Sequence, residues 1–400
     1  MARWNWQLAI VAGFFASAAY AEAVTEWNEK AEAFVVDQKL PAPRAGRATA
    51  MVQIAVFEAL NSITPRYRPY LAKLPATGTE NPDAAAAAAA TGVLIRLYPA
   101  DADKIRGDLE LYLALLKPGP ATEAGVQLGD AAAAAIVLAR ADDGANATER
   151  YRPKTAPGVY IPTAPMAVPN WPGVKPFAIP SGSAFRPAPP PKLASKGWKA
   201  DLAEIREYGG LNSKSRSPKQ TEDAKFWLTV GPQAYMQIER QFSAAKGLTG
   251  VDAARFMALV EIARADAILA VFDAKYHYNF WRPVTAIRVT FETDDDWLPI
   301  DATPAHPEYP CAHCISAASV AGVTQKEFGT DEMPEFHATS PSAPGVIHKW
   351  TSMKAMNKEV SEARIRAGFH YRFSTRVGED MGYKIGSYVA ENIMQPLPVN

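Results

Sequence analysis

The chain has 400 residues, 48% of them apolar, which is enough to bury a sizeable core in one large domain or in two fused bundles. Its 42 basic residues balance 42 acidic ones, so no overall field draws it to nucleic acid or to an anionic membrane, and any anion site must be local. Only two cysteines occur, which excludes a disulfide-built scaffold.

The first residues, MARWNWQLAIVAGFFASAAYA, combine Arg3, an apolar run from Leu8 to Ala19, and small residues at Ala19 and Ala21 flanking Tyr20. That is the pattern of a secretory signal peptide, with cleavage expected after Ala21. The run is shorter than the ~20 residues that span a bilayer, and no later segment is long and apolar enough either. The expectation is an exported, periplasmic or secreted protein with no stable membrane span.

Residues 22–154 read as an N-terminal helical region. Val52, Ala55, Val56, Ala59, Leu60 and Ile63 fall on one helical stripe that Pro65 ends. An alanine-rich helix follows Asp83 to about Leu97, and another follows Thr122, whose hydroxyl is expected to cap it. Residues 155–193 are too proline-rich for helix or central strand. Because Tyr160, Trp171, Phe177 and Phe185 are interleaved with the prolines, this stretch is expected to pack across a surface as a crossover.

Residues 194–400 read as a C-terminal helical bundle. Helices are expected from Trp198, over Thr221 to Trp227, and over Pro232 to Ala245. Thr249 to Asp252 has a capping-box pattern ahead of a long helix, with buried stripe Phe256, Leu259, Val260, Ala263 and Ala267, running towards Lys275. Further helices are expected from about His313, over Thr351 to Ala367, and after Ser374, read as the cap of a last helix with stripe Val377, Met381, Ile385, Tyr388 and Val389. Strands are nearly absent, and the class is all-α, made of packed helical bundles.

Three segments of the C-terminal half concentrate cations and imidazoles. In KYHYNFWRP, Lys275 and Arg282 lie two helical turns apart, and Pro283 pushes Arg282 out of the helix. In HPEYPCAHC, two prolines force an extended entry to a helix whose free amides near Ala312 and His313 suit an anion. In RIRAGFH, Arg364 and His370 could share a face only if Gly368 ends the helix between them. Arg366 and Arg372 compete with Arg364 as the relevant cation of that segment. Taken singly, a Lys-Arg pair is commonly a solvated face and a lone histidine a structural residue.

Their order resembles the vanadium-dependent haloperoxidases and the type 2 phosphatidic acid phosphatase superfamily that contains them. That superfamily shows Lys-x6-Arg-Pro, Pro-Ser-Gly-His and Ser-Arg-x5-His-x3-Asp. Here these stand as Lys275-x6-Arg282-Pro283, Pro310-Cys311-Ala312-His313 and Ala363-Arg364-x5-His370-x3-Ser374. VKPFAIPSGSAFRPAPPP and KQTEDAKFW also resemble bacterial haloperoxidase-like proteins, so the likeness covers most of the mature chain. It implies that Lys275, Arg282 and Arg364, with the Cys311-Ala312 segment, bind the oxygens of vanadate or phosphate. His370 would be the axial vanadate ligand or the attacking nucleophile, and His313 the acid/base.

His306, in a loop similar to that of bromoperoxidases, implies a role in halide handling and favours a haloperoxidase acting on bromide rather than chloride with hydrogen peroxide. Two departures favour the alternative, a phosphatase cleaving phosphate esters through a phosphohistidine. Cys311 and Ala312 replace Ser and Gly, leaving a weak thiol donor that peroxide would oxidise unless Cys311 pairs with Cys314. Ser374 replaces the Asp expected to orient a histidine. A dithiol oxidoreductase built on Cys311 and Cys314, and a helical binding protein without activity, remain as alternatives of other classes.

Overall fold

Helices make up nearly all the regular structure of the computed structural model, which describes residues 23–398 apart from 72, 163 and 230. The expected signal peptide lies outside the described residues. The N-terminal part holds α1 (23–37), α2 (Ala42–Ile63), α3 (Pro82–Leu97), α4 (Ala102–Leu113) and α5 (Pro120–Ala139). After an irregular stretch come α6 (Lys196–Gly209), α7 (Pro218–Phe226), α8 (Pro232–Ala245), α9 (Gly250–Tyr278), α10 (Pro283–Thr290) and α11 (Ala312–Phe328). A hairpin of β1 (Glu332–Thr339) and β2 (Ile347–Ser352) precedes α12 (Met353–Arg366) and α13 (Arg372–Asn392). Proline at the first helical position, where its missing N–H costs nothing, starts α3, α5, α7, α8 and α10.

Helix α9 is the axis of the molecule. Nearly every residue from Val251 to Lys275 is buried, because α2 covers one side and α8, α11 and α13 cover the others. A helix apolar on one stripe only could not serve there, and Ala, Val, Leu, Ile and Phe occupy positions all round it.

The stretch between α5 and α6 crosses this axis and is fastened to it by polar bonds. Asp266 on α9 accepts the backbone N–H groups of Phe177, Ala178 and Ile179 at 2.7, 2.7 and 2.9 Å. Two turns along the same face, Asp273 holds Arg186 through two bonds of 2.7 and 2.9 Å. Tyr160 and Trp171 are buried by the crossing, and Phe177 and Phe185 pack partly buried against the core.

Several local expectations are corrected. The hairpin was not anticipated, since Pro334 and an irregularity in register between Glu332 and Phe336 break the period-two alternation that marks a strand. Thr122 donates to the Lys117 carbonyl and α5 starts before it, so it is no cap. Thr249 stands at the start of α9 but makes no side-chain cap bond, because Asp252 turns away to Tyr67 and Arg66.

Helices α11 and α13 touch backbone to backbone. A Cβ on Gly382 would lie 2.4 Å from the Ile315 carbonyl oxygen, and one on Gly386 would lie 2.1 Å from that of Ser319. Only glycine permits this spacing, which sets the helix start bearing His313 against the turn bearing His370. Gly386→Ala is therefore expected to lower stability by about 1–3 kcal/mol despite alanine's better helix propensity, through overpacking. A denaturant midpoint equal to or above that of the parent protein would contradict this contact.

Candidate active site

Each end of a helix delivers one part of the site. Lys275 lies in the last turn of α9, which stops at Asn279 in the left-handed conformation (φ 49°) with its N–H on the Lys275 carbonyl. Pro283 then requires an extended Arg282 (φ −78°, ψ 154°), which sits at the start of α10 and turns its side chain inward. Residues 306–311 run between them, with a cis peptide between Tyr309 and Pro310, and lead to Cys311 as the N-cap of α11.

The third part depends on Gly368. Helix α12 ends in a Schellman turn, in which the Gly368 N–H bonds the Ile365 carbonyl at 2.9 Å and the Phe369 N–H bonds that of Arg364 at 3.2 Å. Gly368 takes φ 81°, the conformation that favours glycine. The reversal brings His370 back beside Arg364, two residues that a continuous helix would hold about 120° apart.

Lys275, Arg282, Arg364, His313, His370 and Glu308 are all between 0% and 5% exposed. Lys275 Nζ donates to the carbonyls of Pro307 and Glu308 at 2.9 and 2.7 Å. Arg282 donates to the carbonyls of His306 and Phe369 at 3.0 and 2.9 Å, and meets His370 Nε2 at 3.3 Å and His306 Nδ1 at 3.0 Å. Arg364 donates to the Trp227 carbonyl and leaves its Nε without a partner. Arg366 and Arg372 are engaged elsewhere by Glu362 and Glu204, which decides for Arg364 as the third inward cation.

Both inward histidines are held by one ring nitrogen and present the other. His370 Nδ1 lies 2.8 Å from a Glu308 carboxylate oxygen, which fixes that nitrogen as the N–H and leaves the Nε2 lone pair directed at the Arg282 side. One ring nitrogen of His313 bonds the Trp227 backbone, and its Nε2 has no hydrogen-bond partner. Tyr235 donates to the His313 carbonyl at 3.3 Å, steadying the first turn of α11.

Lys275 and Arg282 face the carboxylate of Glu308, whereas the charges that act on Arg364 are those of Arg282 and Tyr235. Burial, and then the neighbouring guanidinium of Arg282, holds the Lys275 ammonium well below the usual lysine range. Burial lowers Arg282 to about 10 and Arg364 to about 9, the latter also through Arg282. The imidazoles of His313 and His370 are pushed well below 6.5, first by burial and then by the surrounding cations. Burial raises Glu308 to about 7 against the pull of Lys275 and Arg282. The arrangement is short of negative charge, and its electrostatics favour a bound anion.

Residues 255–397 match the family described as the VCPO second helical-bundle domain. The vanadium chloroperoxidase of Curvularia inaequalis is 25% identical over 43% of this chain and 39% of that protein, so well under half of that relative's length is matched. The structure of a bacterial vanadium-dependent iodoperoxidase superposes with a TM-score of 0.83 at 22% identity, covering 94% of this chain and 97% of that one. Apo and holo structures of a bacterial vanadium-dependent chloroperoxidase superpose with TM-scores of 0.70 and 0.68 at 17% and 18% identity. Each of these two covers 88% of this chain, and 92% and 91% of its own. The overall fold is that of the vanadium haloperoxidases.

Within the matched residues, the structure brings together Lys275, Arg282, His313, Arg364 and His370, with His306 against Arg282 and its ring 5.2 Å from that of Phe272. Cys311 and Cys314 are joined as a disulfide, so Cys311 has no thiol to donate, and the expected S–H contact to an oxyanion is withdrawn. What the segment offers instead is backbone, since Ala312 and His313 are the first residues of α11 and their N–H groups have no acceptor within the helix. Ser374 does not cap α13, which begins at Arg372 with Tyr371 before it. Its hydroxyl lies buried against Glu308.

Glu308 is the member of this buried cluster that the sequence did not point to. It stands in HPEYP, read there only for its histidine, and it reaches the position left open where Ser374 replaces an aspartate. Its Oε1 accepts the Tyr371 N–H at 3.1 Å as well as His370 Nδ1. The signal was available in the pairing of an unexplained acid with a missing one.

Two outcomes follow from these electrostatics. A dianion raises the depressed values of Lys275, His313 and His370, so binding takes up protons and weakens as pH rises through the lowered Lys275 value. Calorimetry with tungstate, a dianion across the neutral range, in buffers of different ionisation enthalpy reads this directly, and proton release on binding would contradict it. Glu308→Gln removes the acceptor that fixes the His370 tautomer, and a loss of about 10–100-fold in oxyanion affinity or turnover is expected.

Proposed function

We propose that the protein is a vanadate-dependent haloperoxidase that oxidises halide with hydrogen peroxide, bromide in preference to chloride. The observation that carries this reading is a buried set of three cations, Lys275, Arg282 and Arg364, accompanied by a single buried acid, Glu308, and by the Nε2 atoms of His370 and His313. A tetrahedral oxyanion of about two negative charges matches that excess, and the unpartnered Arg364 Nε and His313 Nε2 are donors or acceptors without another use. The residues therefore fit vanadate. Lys275, Arg282 and Arg364, with the amides at Ala312 and His313, would hold its oxygens, and His370 Nε2 would be its protein ligand.

When bound, vanadate supplies a Lewis acid that activates peroxide towards oxygen transfer to halide. The protein's own part is charge, orientation and protons. Peroxide, bromide and one proton give hypobromous acid and water, so a proton must be delivered as the peroxide bond breaks. His313, neutral in the free site because burial and the cations depress it, is suited to take and return that proton. His306 stands at the Arg282 side of the site and is assigned to halide handling. The Cys311–Cys314 disulfide leaves no free thiol beside the oxidant, removing the hazard that favoured a phosphatase. It also suits an exported location, outside the reducing cytosol.

A second reading has support from the Glu308–His370 pair. An imidazole with its Nδ1–H on a buried carboxylate is an activated nucleophile, and the same cage would accommodate phosphate-ester hydrolysis through a phosphohistidine at His370. Orthovanadate separates the two. In a haloperoxidase it switches on bromide oxidation in the metal-free protein, and in a phosphatase it inhibits phosphate release.

His370→Ala is expected to abolish peroxide-dependent bromide oxidation in the presence of vanadate, and His313→Ala to slow turnover by about 10²–10⁴-fold with less effect on vanadate binding. Halide oxidation rates measured with chloride, bromide and iodide test the preference. Full activity in both variants, or no halide oxidation with vanadate supplied, would remove the proposal.

A further inference from the structure

A second cluster of ligand-type side chains lies outside the site described above, where α7 meets the hairpin. Glu222 and Asp223 on α7 and His348 on β2 each offer one atom, and these atoms lie within 4.8 Å of one another. His348 is 4% exposed, and its Nε2 has no hydrogen-bond partner. That nitrogen stands 3.7 Å from a Glu222 oxygen and 3.7 Å from an Asp223 oxygen. Such separations are too long for hydrogen bonds. They are a few tenths of an ångström above the edge, about 3.3 Å, of a tetrahedron whose centre lies about 2.0–2.1 Å from each N or O ligand.

The other ring nitrogen is fixed in the manner of a metal-binding histidine. His348 Nδ1 lies 2.6 Å from Glu359 Oε1, so Nδ1 donates to that carboxylate and Nε2 is turned towards Glu222 and Asp223. Glu359 is itself held as a carboxylate by the indole N–H groups of Trp227 and Trp350, both at 2.9 Å. These bonds, with the contact to His348, outweigh the burial that would raise its carboxyl and leave it below the usual range. Phe226 stacks on the imidazole with ring centroids 3.9 Å apart and planes 5° apart, fixing its direction. One imidazole nitrogen and two carboxylates thus converge on one place. Lys219, largely exposed, bonds the same two oxygens, Glu222 Oε1 at 2.9 Å and Asp223 Oδ1 at 2.7 Å, so a metal ion entering from the solvent side displaces its ammonium.

We propose that Glu222, Asp223 and His348 form a divalent-cation site suited to Zn²⁺, with Glu359 orienting the histidine and one coordination position left to water. Nitrogen and carboxylate donors in this number fit zinc better than calcium or magnesium, which take six or more oxygens. The metal clamps the C-terminal half of α7 to β2. The next residue after α7, Trp227, presents its carbonyl to Arg364 and its backbone to His313, so the clamp lies on the supporting side of the oxyanion cage. Access is from solvent, where Glu222 lines a surface cleft with Thr221, Ser342 and Val346.

The test is a Zn²⁺ titration of the purified full chain after chelator treatment, against a chromogenic zinc indicator, with Co²⁺ as a spectroscopic probe. One equivalent bound, visible Co²⁺ bands of a tetrahedral site, and a rise in melting temperature with Zn²⁺ are expected. His348→Gln and Asp223→Asn should each abolish tight uptake, Glu359→Gln should weaken it by about 10–100-fold, and Lys219→Met, which removes a competing ammonium, should strengthen it. Asp223 and Glu222 are not buried, so Asp223→Asn and Glu222→Gln decide the matter if His348→Gln does not fold. Failure to bind a full equivalent, or uptake undiminished in Asp223→Asn, overturns the proposal. His370→Ala should bind Zn²⁺ normally, which separates this site from the oxyanion cage and makes the outcome independent of whether the protein oxidises halide.

Discussion

Three permanently or potentially charged groups, Lys275, Arg282 and Arg364, are taken out of water with one acid, Glu308, beside the first two, and the rest of the structure is arranged to make that tolerable. Burying an unpaired ion costs several kcal/mol even after relaxation. Backbone carbonyls supply the compensation: those of Pro307 and Glu308 for the lysine, His306 and Phe369 for Arg282, and Trp227 for Arg364. Carbonyls stabilise cations without neutralising them, so the positive potential survives and is available to a ligand. Full ion pairing with aspartates or glutamates would have given a more stable and less useful interior.

The carbonyls are free for this purpose because they belong to places where regular structure stops. Pro307 and Glu308 lie in an extended loop, Phe369 follows the Schellman turn, and Trp227 closes α7. The long helices carry the packing energy and the interruptions carry the chemistry. The glycine contact between α11 and α13 matters for the same reason, since it fixes two of those interruptions, at Cys311 and at Tyr371, relative to one another. The Cys311 N–H on the Ser374 carbonyl, at 3.2 Å, is the bond that joins them.

Much of this was legible in the amino-acid sequence. Apolar periodicity located the main helices, and Pro283 and Gly368 predicted where the chain must leave helical geometry near Arg282 and His370. Side-chain bonding at helix starts was less legible: Thr122, Thr249 and Ser374 all have the residue type of a cap, and none acts as one. Each has a competing local geometry, and Ser374 is drawn inward by Glu308. The hairpin was hidden by a proline and a register irregularity. Glu308 was hidden because its partner lies 62 residues away along the chain, a relation that no local pattern encodes. Ser374, a small residue where a longer acid was expected, was the only local trace of it.

The fastening of residues 177–186 to α9 also bears on the order in which the molecule can be assembled. Asp266 and Asp273 follow their backbone and guanidinium partners by nearly ninety residues. During synthesis the crossover therefore emerges with its acceptors still untranslated, and although α2, α3 and α5 can pack on one another, α2 lacks its α9 partner until α9 is complete. Completion of the first half must wait for the second, and a nascent chain halted before about residue 273 leaves the α9-facing side of α2 open to aggregation.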